Sequence, residues 1–215
     1  MKSKKNNHTA IRCVDIPGFE ITYIPVPKNC STTILYYLYF LMHNKVFETD
    51  KIKPNGQPLS IHDFFYINYT NDFDVSSQHK SFLIVRDPIW RFISSFKSRV
   101  KIHKEFENSN ITINDFISDL EDNIKSNDSL QHHMMPQSSW VGSDLSIFDL
   151  VYSIECMGDL NQKLKEITST DHEFKRLHAS GLSNEKSELT KKSLHALIDY
   201  YSDDYQLLED FYSPE

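Results

Sequence analysis

The sequence predicts an α/β domain, a mainly parallel central sheet flanked by helices, and three observations predict it. Strand-like apolar runs alternate with helix-like ones along the 215 residues, the order from which parallel sheets with crossover helices are built. Two strand-to-helix junctions, Pro27-Lys28-Asn29-Cys30-Ser31-Thr32-Thr33 and Arg86-Asp87-Pro88-Ile89-Trp90-Arg91-Phe92-Ile93-Ser94, combine a cation with small hydroxyl residues. No repeat, low-complexity run or internal linker divides the chain, and its length suits one domain with a sizeable core.

Residues 1–10 open Met1-Lys2-Ser3-Lys4-Lys5 and read as a flexible tail, leaving 11–215 as the domain. The first strand–loop–helix unit occupies 19–44, with its strand at Phe19 to Val26. Ile34 to Met42 is apolar enough to be a helix buried on most faces, yet far shorter than the ~20 residues of a membrane span. The Pro- and Gly-containing stretch 50–58 reads as surface loop. Ile61 to Tyr69 fits a strand or a helix equally well.

The second unit runs over 81–105, its strand at Phe82 to Val85. Pro88 opens the helix, where a missing N–H does no harm. Ile89, Phe92, Ile93 and Phe96 make its apolar stripe, with Arg91, Lys97, Arg99 and Lys101 largely off it. Thr112 to Asp115 is close to a capping box and starts a helix to Ile124. Residues 125–146 read as loop, 147–154 as a third strand and 159–167 as a helix. Residues 187–201 form a further helix and 203–211 a terminal amphipathic one.

A net charge of −7 argues against a general nucleic-acid binder, which is normally basic, but leaves room for a local basic pocket. Aromatic residues make up 13% of the chain and are assigned to the core. Three cysteines, Cys13, Cys30 and Cys156, are too few and too scattered for a disulfide framework or a zinc site, so reduced thiols are expected. The basic start is not followed by an apolar segment of signal-peptide type, so the expectation is a cytoplasmic protein without a membrane span.

A strand that turns directly into a helix leaves the first amide N–H groups of the helix unpaired at its positive end, a ready anion site. Two such junctions, one with Lys28 and one with Arg86, can hold two phosphate-type groups of one ligand. The G-x-x-x-x-G-K-S/T loop of nucleoside-triphosphate enzymes is absent. No carboxylate or His/Cys spacing suggests a metal site, so none is expected.

Those two segments resemble the P-K-x-x-S/T-T and R-D-P-x-x-R-x-x-S elements of sulfotransferases that use 3′-phosphoadenosine 5′-phosphosulfate (PAPS). The likeness is nearest to the carbohydrate enzymes, of the Golgi and uronyl 2-O types. Downstream, His133-Met134-Met135-Pro136-Gln137 is similar to their H-W-x-P-Q element. Phe148 to Glu155 and Tyr201 to Leu208 resemble two further family segments, so the likeness covers most of 19–212. It implies a P-loop-like fold and PAPS as co-substrate. Lys28, Asn29, Cys30, Ser31, Thr32 and Thr33 would surround the 5′-phosphosulfate, and Arg86 and Ser94 would hold the 3′-phosphate. The acceptor implied is a carbohydrate hydroxyl. Sulfation of a peptide tyrosine or a small hydroxyl metabolite, or a non-catalytic nucleotide-binding module, are the alternatives.

Sulfuryl transfer needs a cation where charge grows on the leaving oxygen, and Lys28 is the candidate. It also needs a base for the acceptor proton. His62 stands 24 residues before Arg86, near where relatives place a catalytic histidine. His133 is the second candidate, as base or as a group orienting the acceptor, with Asp63 and Glu155 as carboxylate alternatives. Arg91 is assigned to bracing the first loop.

Overall fold

Two runs of apolar residues, Ile21–Ile24 (β2) and Lys80–Val85 (β4), set the centre of the molecule. Every residue of both except Lys80 is buried, as expected of strands covered on both faces by helices. The computed structural model describes residues 10–214 apart from 50, 52, 54, 55 and 174–187. The two strands pair in parallel, Tyr23 opposite Phe82, with their rings stacked at 5.0 Å. Strand β4 pairs in parallel with a strand at Leu150–Ser153, which becomes β5 once two further strands, Arg12–Ile16 (β1) and Thr70–Asp72 (β3), are counted. The sheet order is β3-β1-β2-β4-β5, with β1 antiparallel to both its neighbours.

Successive side chains of a strand face opposite sides, and the core divides accordingly. On one face Ile21, Tyr23, Phe82 and Ile84 meet Ile34, Leu35 and Leu38 of α1 (Ser31–His43). Phe65 of α2 (Ile61–Tyr69) joins them there. On the other face Ile24, Val26, Leu83 and Val85 meet Val141, Phe148 and Leu208. A third cluster gathers α3 (Pro88–Phe96), α4 (Ile113–Ser118), α5 (Leu120–Lys125) and α6 (Asp128–Met134) around Phe92, Phe116 and Leu130. Two short helices complete the chain's third quarter and its sheet, α7 (Ser138–Val141) before β5 and α8 (Met157–Thr168) after it. The C-terminal helices α9 (Lys191–Tyr200) and α10 (Ser202–Leu207) close over the third cluster through Leu197, Tyr201 and Tyr205.

The fold class is the one the sequence predicts, and several elements differ in detail. The segment 61–69 is a helix because Ser60 and Asp63 form a reciprocal capping box at its start. The stretch 125–146 is not loop: α6, α7 and a 3₁₀ turn at Leu145–Ile147 occupy most of it. The third strand is shorter than 147–154, and the helix begun at Thr112 breaks at Asp119 into α4 and α5. The helix expected over 187–201 starts at Lys191, capped by Thr190, and residue 187 lies outside the described residues. So does the expected tail, except Ala10. No helix among the described residues is long and apolar enough to cross a membrane.

Candidate active site

The first junction leaves β2 at Ile24 and turns through residues 27–30 into α1. Lys28 (φ 69°) and Cys30 (φ 59°) are both in the left-handed region, which non-glycine residues adopt only when their surroundings hold them there. Asn29 does the holding. It is 0% exposed, and its Nδ2 donates to Ile84 O at 2.8 Å and to Gln137 Oε1 at 2.6 Å. No side chain caps α1, and its first turn carries no acidic residue. The amides of Ser31, Thr32 and Thr33 thus form a positive helix end with no intrahelical partners. Ser31 and Thr33 are buried in that turn, while Thr32 Oγ1 lies 2.8 Å from His62 Nε2.

The second junction is built on a different plan. Asp87 caps α3, accepting from Trp90 N at 2.9 Å, and Pro88 occupies the first turn. Arg86 follows the end of β4, and Ser94 lies in the second turn of α3. Both are half-buried. Arg86 Nη1 donates to Lys28 O at 3.0 Å, so the second junction touches the first directly. Arg91 is 0% exposed and braces the first loop, its Nε donating to Pro27 O at 3.0 Å and its Nη1 to Met135 O at 2.7 Å.

Lys28 is the centre of the electrostatics. Burial, then the cations Arg99, Arg86 and Arg91, lower its pKa to about 8, against a smaller opposing pull from Glu105. Burial likewise lowers the Arg86 pKa, with Glu155 among the groups that oppose it. His62 keeps contact with solvent, yet desolvation in the crevice beside α1 lowers its pKa below the ordinary histidine value. Asp63 opposes that shift, while Arg99, His132 and Lys28 reinforce it. His133 goes down to about 2, by burial first and then by Arg99, His132, Lys28 and Arg91. Its Nδ1 is buried with no hydrogen-bond partner among the described residues, and its carbonyl accepts from Ser95 Oγ at 2.8 Å. His133 is therefore a neutral imidazole throughout the working pH range.

Lys28, His62 and His133 thus share one field, and two residues absent from the sequence reading of the site, Arg99 and His132, join them. Arg99 lies on a π-helical turn, Lys97–Ile102, that extends α3, and it pairs with Glu105 at 3.1 Å. Its one sequence signal was spacing: Arg91, Ser95 and Arg99 recur every four residues, on one helix face. His132 packs edge-on against both His133 and Trp140, at 5.0 and 4.7 Å. The two carboxylate alternatives are engaged elsewhere. Asp63 accepts from Ser60 in the α2 cap and pairs with Lys53 at 3.2 Å. Glu155 accepts from Tyr212 Oη at 2.6 Å.

Among the described residues no three His, Cys, Asp or Glu side chains are grouped so as to hold a metal. A family model described as the sulfotransferase family matches residues 14–213, nearly the whole domain. No curated protein and no solved structure matches the chain.

Proposed function

The chain belongs to the sulfotransferase family, and we propose that it moves a sulfuryl group from PAPS to a hydroxyl of a carbohydrate acceptor. The observation that carries this reading is the 2.8 Å approach of His62 Nε2 to Thr32 Oγ1. It sets a titratable base against the same helix turn that, with Lys28, forms the open anion site. We place it in a reducing, cytoplasmic setting, in keeping with the reduced thiols of Cys13, Cys30 and Cys156.

In the proposed reaction the first-turn amides and hydroxyls of Ser31, Thr32 and Thr33 hold the 5′-phosphosulfate. Arg86 and Ser94 hold the 3′-phosphate, Arg86 being suited by its two-pronged donor geometry. The acceptor oxygen attacks sulfur in line as the bond from sulfur to the bridging oxygen breaks. By analogy with phosphoryl transfer, positioning and charge stabilisation carry most of the rate. His62 takes the acceptor proton, once Thr32 turns its hydroxyl from the ring to the donor. Lys28 meets the charge growing on the bridging oxygen. The bisphosphate 3′,5′-ADP leaves. Neutral His133 orients the acceptor hydroxyl.

Calorimetry tests the donor half: 3′,5′-ADP should bind without added metal, and AMP much more weakly. Equal affinity for the two would remove Arg86 and Ser94 from the 3′-phosphate. Labelled PAPS with a panel of glycans, peptides and phenols tests the acceptor half. Label appearing only on tyrosine peptides or small phenols would overturn the carbohydrate assignment.

A further inference from the structure

Gln137 is 1% exposed, and its side-chain amide joins both proposed anion-binding loops. Its Oε1 accepts from Asn29 Nδ2 at 2.6 Å and from Arg86 N at 3.2 Å, while its Nε2 donates to Arg86 O at 2.7 Å. Both backbone groups of Arg86 are thereby held by one side chain, in the manner of a neighbouring strand. Asn29, the other partner, lies between the two left-handed residues of the first loop and is tied to Ile84 O of β4 as well.

Gln137 is itself anchored from the far side. Its backbone N–H and that of Ser138 donate to the two oxygens of Asp204, which is 0% exposed, at 2.7 and 2.8 Å. The preceding carbonyls are each taken up in turn: His133 O by Ser95, Met134 O by Tyr201 and Met135 O by Arg91. Residues 133–138 thus form a strap fixed at almost every step. A densely bonded buried network of this kind favours one geometry, because a shift would leave further buried polar groups unpaired beside Asn29 Oδ1 and Arg91 Nη2, which already lack partners among the described residues.

We infer that Gln137 is a positioning residue that sets the distance between the two anion-binding loops, so that a ligand carrying two phosphates engages both at once. The inference rests on the donor reading given above. A nucleotide with one phosphate uses one loop and is indifferent to their spacing. A bisphosphate is not.

The test measures affinities for 3′,5′-ADP, 5′-AMP and 3′-AMP by calorimetry, in the wild type and in two variants. Gln137→Glu keeps the shape and the acceptor oxygens but cannot donate to Arg86 O. Asn29→Ala breaks the span from the first loop and leaves the bonds between Gln137 and Arg86 in place. Each should lower the advantage of the bisphosphate over the monophosphates by about tenfold; Gln137→Glu should leave 5′-AMP and 3′-AMP affinities nearly unchanged, and for Asn29→Ala, which alters the first loop itself, the advantage is read against 5′-AMP. The double variant should lose little more than either single one, since both break the same span. Equal weakening of all three nucleotides would reduce Gln137 to general structure and overturn the inference. So would a retained bisphosphate advantage. If Gln137→Glu fails to fold, Asn29→Ala decides alone by the same ratio. A wild type showing no bisphosphate advantage would instead overturn the donor reading, so the two failures are distinguishable.

Discussion

The proposed donor side and the proposed acceptor side of the site differ in how firmly their side chains are held. On the donor side Asn29, Arg91 and Gln137 are fully buried and hydrogen-bonded to the backbone of the loops they hold. On the acceptor side His62 and His132 keep solvent contact, and His62 reaches the donor side through the single approach to Thr32. His62 stands on α2 and His132 on α6, with Arg99 on the π-helical extension of α3. The difference teaches where precision is concentrated: the half proposed to bind the anion is lashed to the sheet by buried hydrogen bonds, and the half proposed to meet the acceptor presents more exposed side chains from helices. π-Helical turns in such places often mark functional sites.

The strongest test of that contrast is Lys28→Ala, which takes a cation from the rigid half. Turnover should fall by about 10²–10³-fold while donor affinity falls less, because the contact strengthens as leaving-group charge develops. A rise confined to the Michaelis constant for PAPS would make Lys28 a ground-state anchor. The pH profile sharpens the point. With its pKa lowered to about 8, free Lys28 loses its charge as pH rises through that value. The basic limb of kcat/KM should therefore fall there, and Lys28→Arg should remove that limb.

The next effect crosses to the more exposed half. His62→Ala should cost about 10²-fold in turnover with PAPS binding intact. A base acts unprotonated, so a lowered histidine pKa keeps wild-type activity down to a pH below the ordinary histidine value, and the acidic limb should vanish in His62→Ala. His133, lowered to about 2, cannot produce that limb, and His133→Ala should act through acceptor affinity. Normal turnover in His62→Ala together with a collapse in His133→Ala would move the base to His133.

The smallest effect probes how α2 is held. Ser60→Ala removes one half of its capping box and should cost about 1 kcal/mol in urea unfolding. Any accompanying loss of turnover should stay within about fivefold, the most that this energy could supply if all of it were spent on placing His62, with donor affinity unchanged. A matching loss of donor affinity would mean that the two halves do not stand apart after all.

The same division governs what could be read from the sequence. Pro27 to Thr33 and Arg86 to Ser94 were legible because a strand-to-helix junction is local: its apolar runs, its proline and its hydroxyls are adjacent in the chain. The β1 and β3 strands were not. Thr70-Asn71-Asp72 has weak strand preference and exists by pairing with Arg12 to Val14. The helices inside 125–146 were missed for a related reason, since helices of seven and four residues are marginal alone. They are held by Asp204, Tyr201 and Arg91, far away in sequence. Gln137 was visible as part of a motif, while its span between the loops was not, and Arg99 gave only a spacing on a helix face. Asn29 was grouped with the donor loop, and the structure turns its side chain inward to Gln137 and Ile84.

The lashing of residues 133–138 has a consequence in time. The span from Asn29 to Gln137 crosses 108 residues, that from Gln137 to Asp204 a further 67, and Tyr212 reaches back 127 residues to Val85. Contacts of such separation form late, after the chain entropy between them has been given up. The first loop leaves a ribosome well before the segments around Gln137 and Asp204, yet its geometry waits on them. Segments this far apart in sequence must meet before the proposed donor site exists, so an anion arriving at a half-made domain finds a bare helix end and no measured gap beside it.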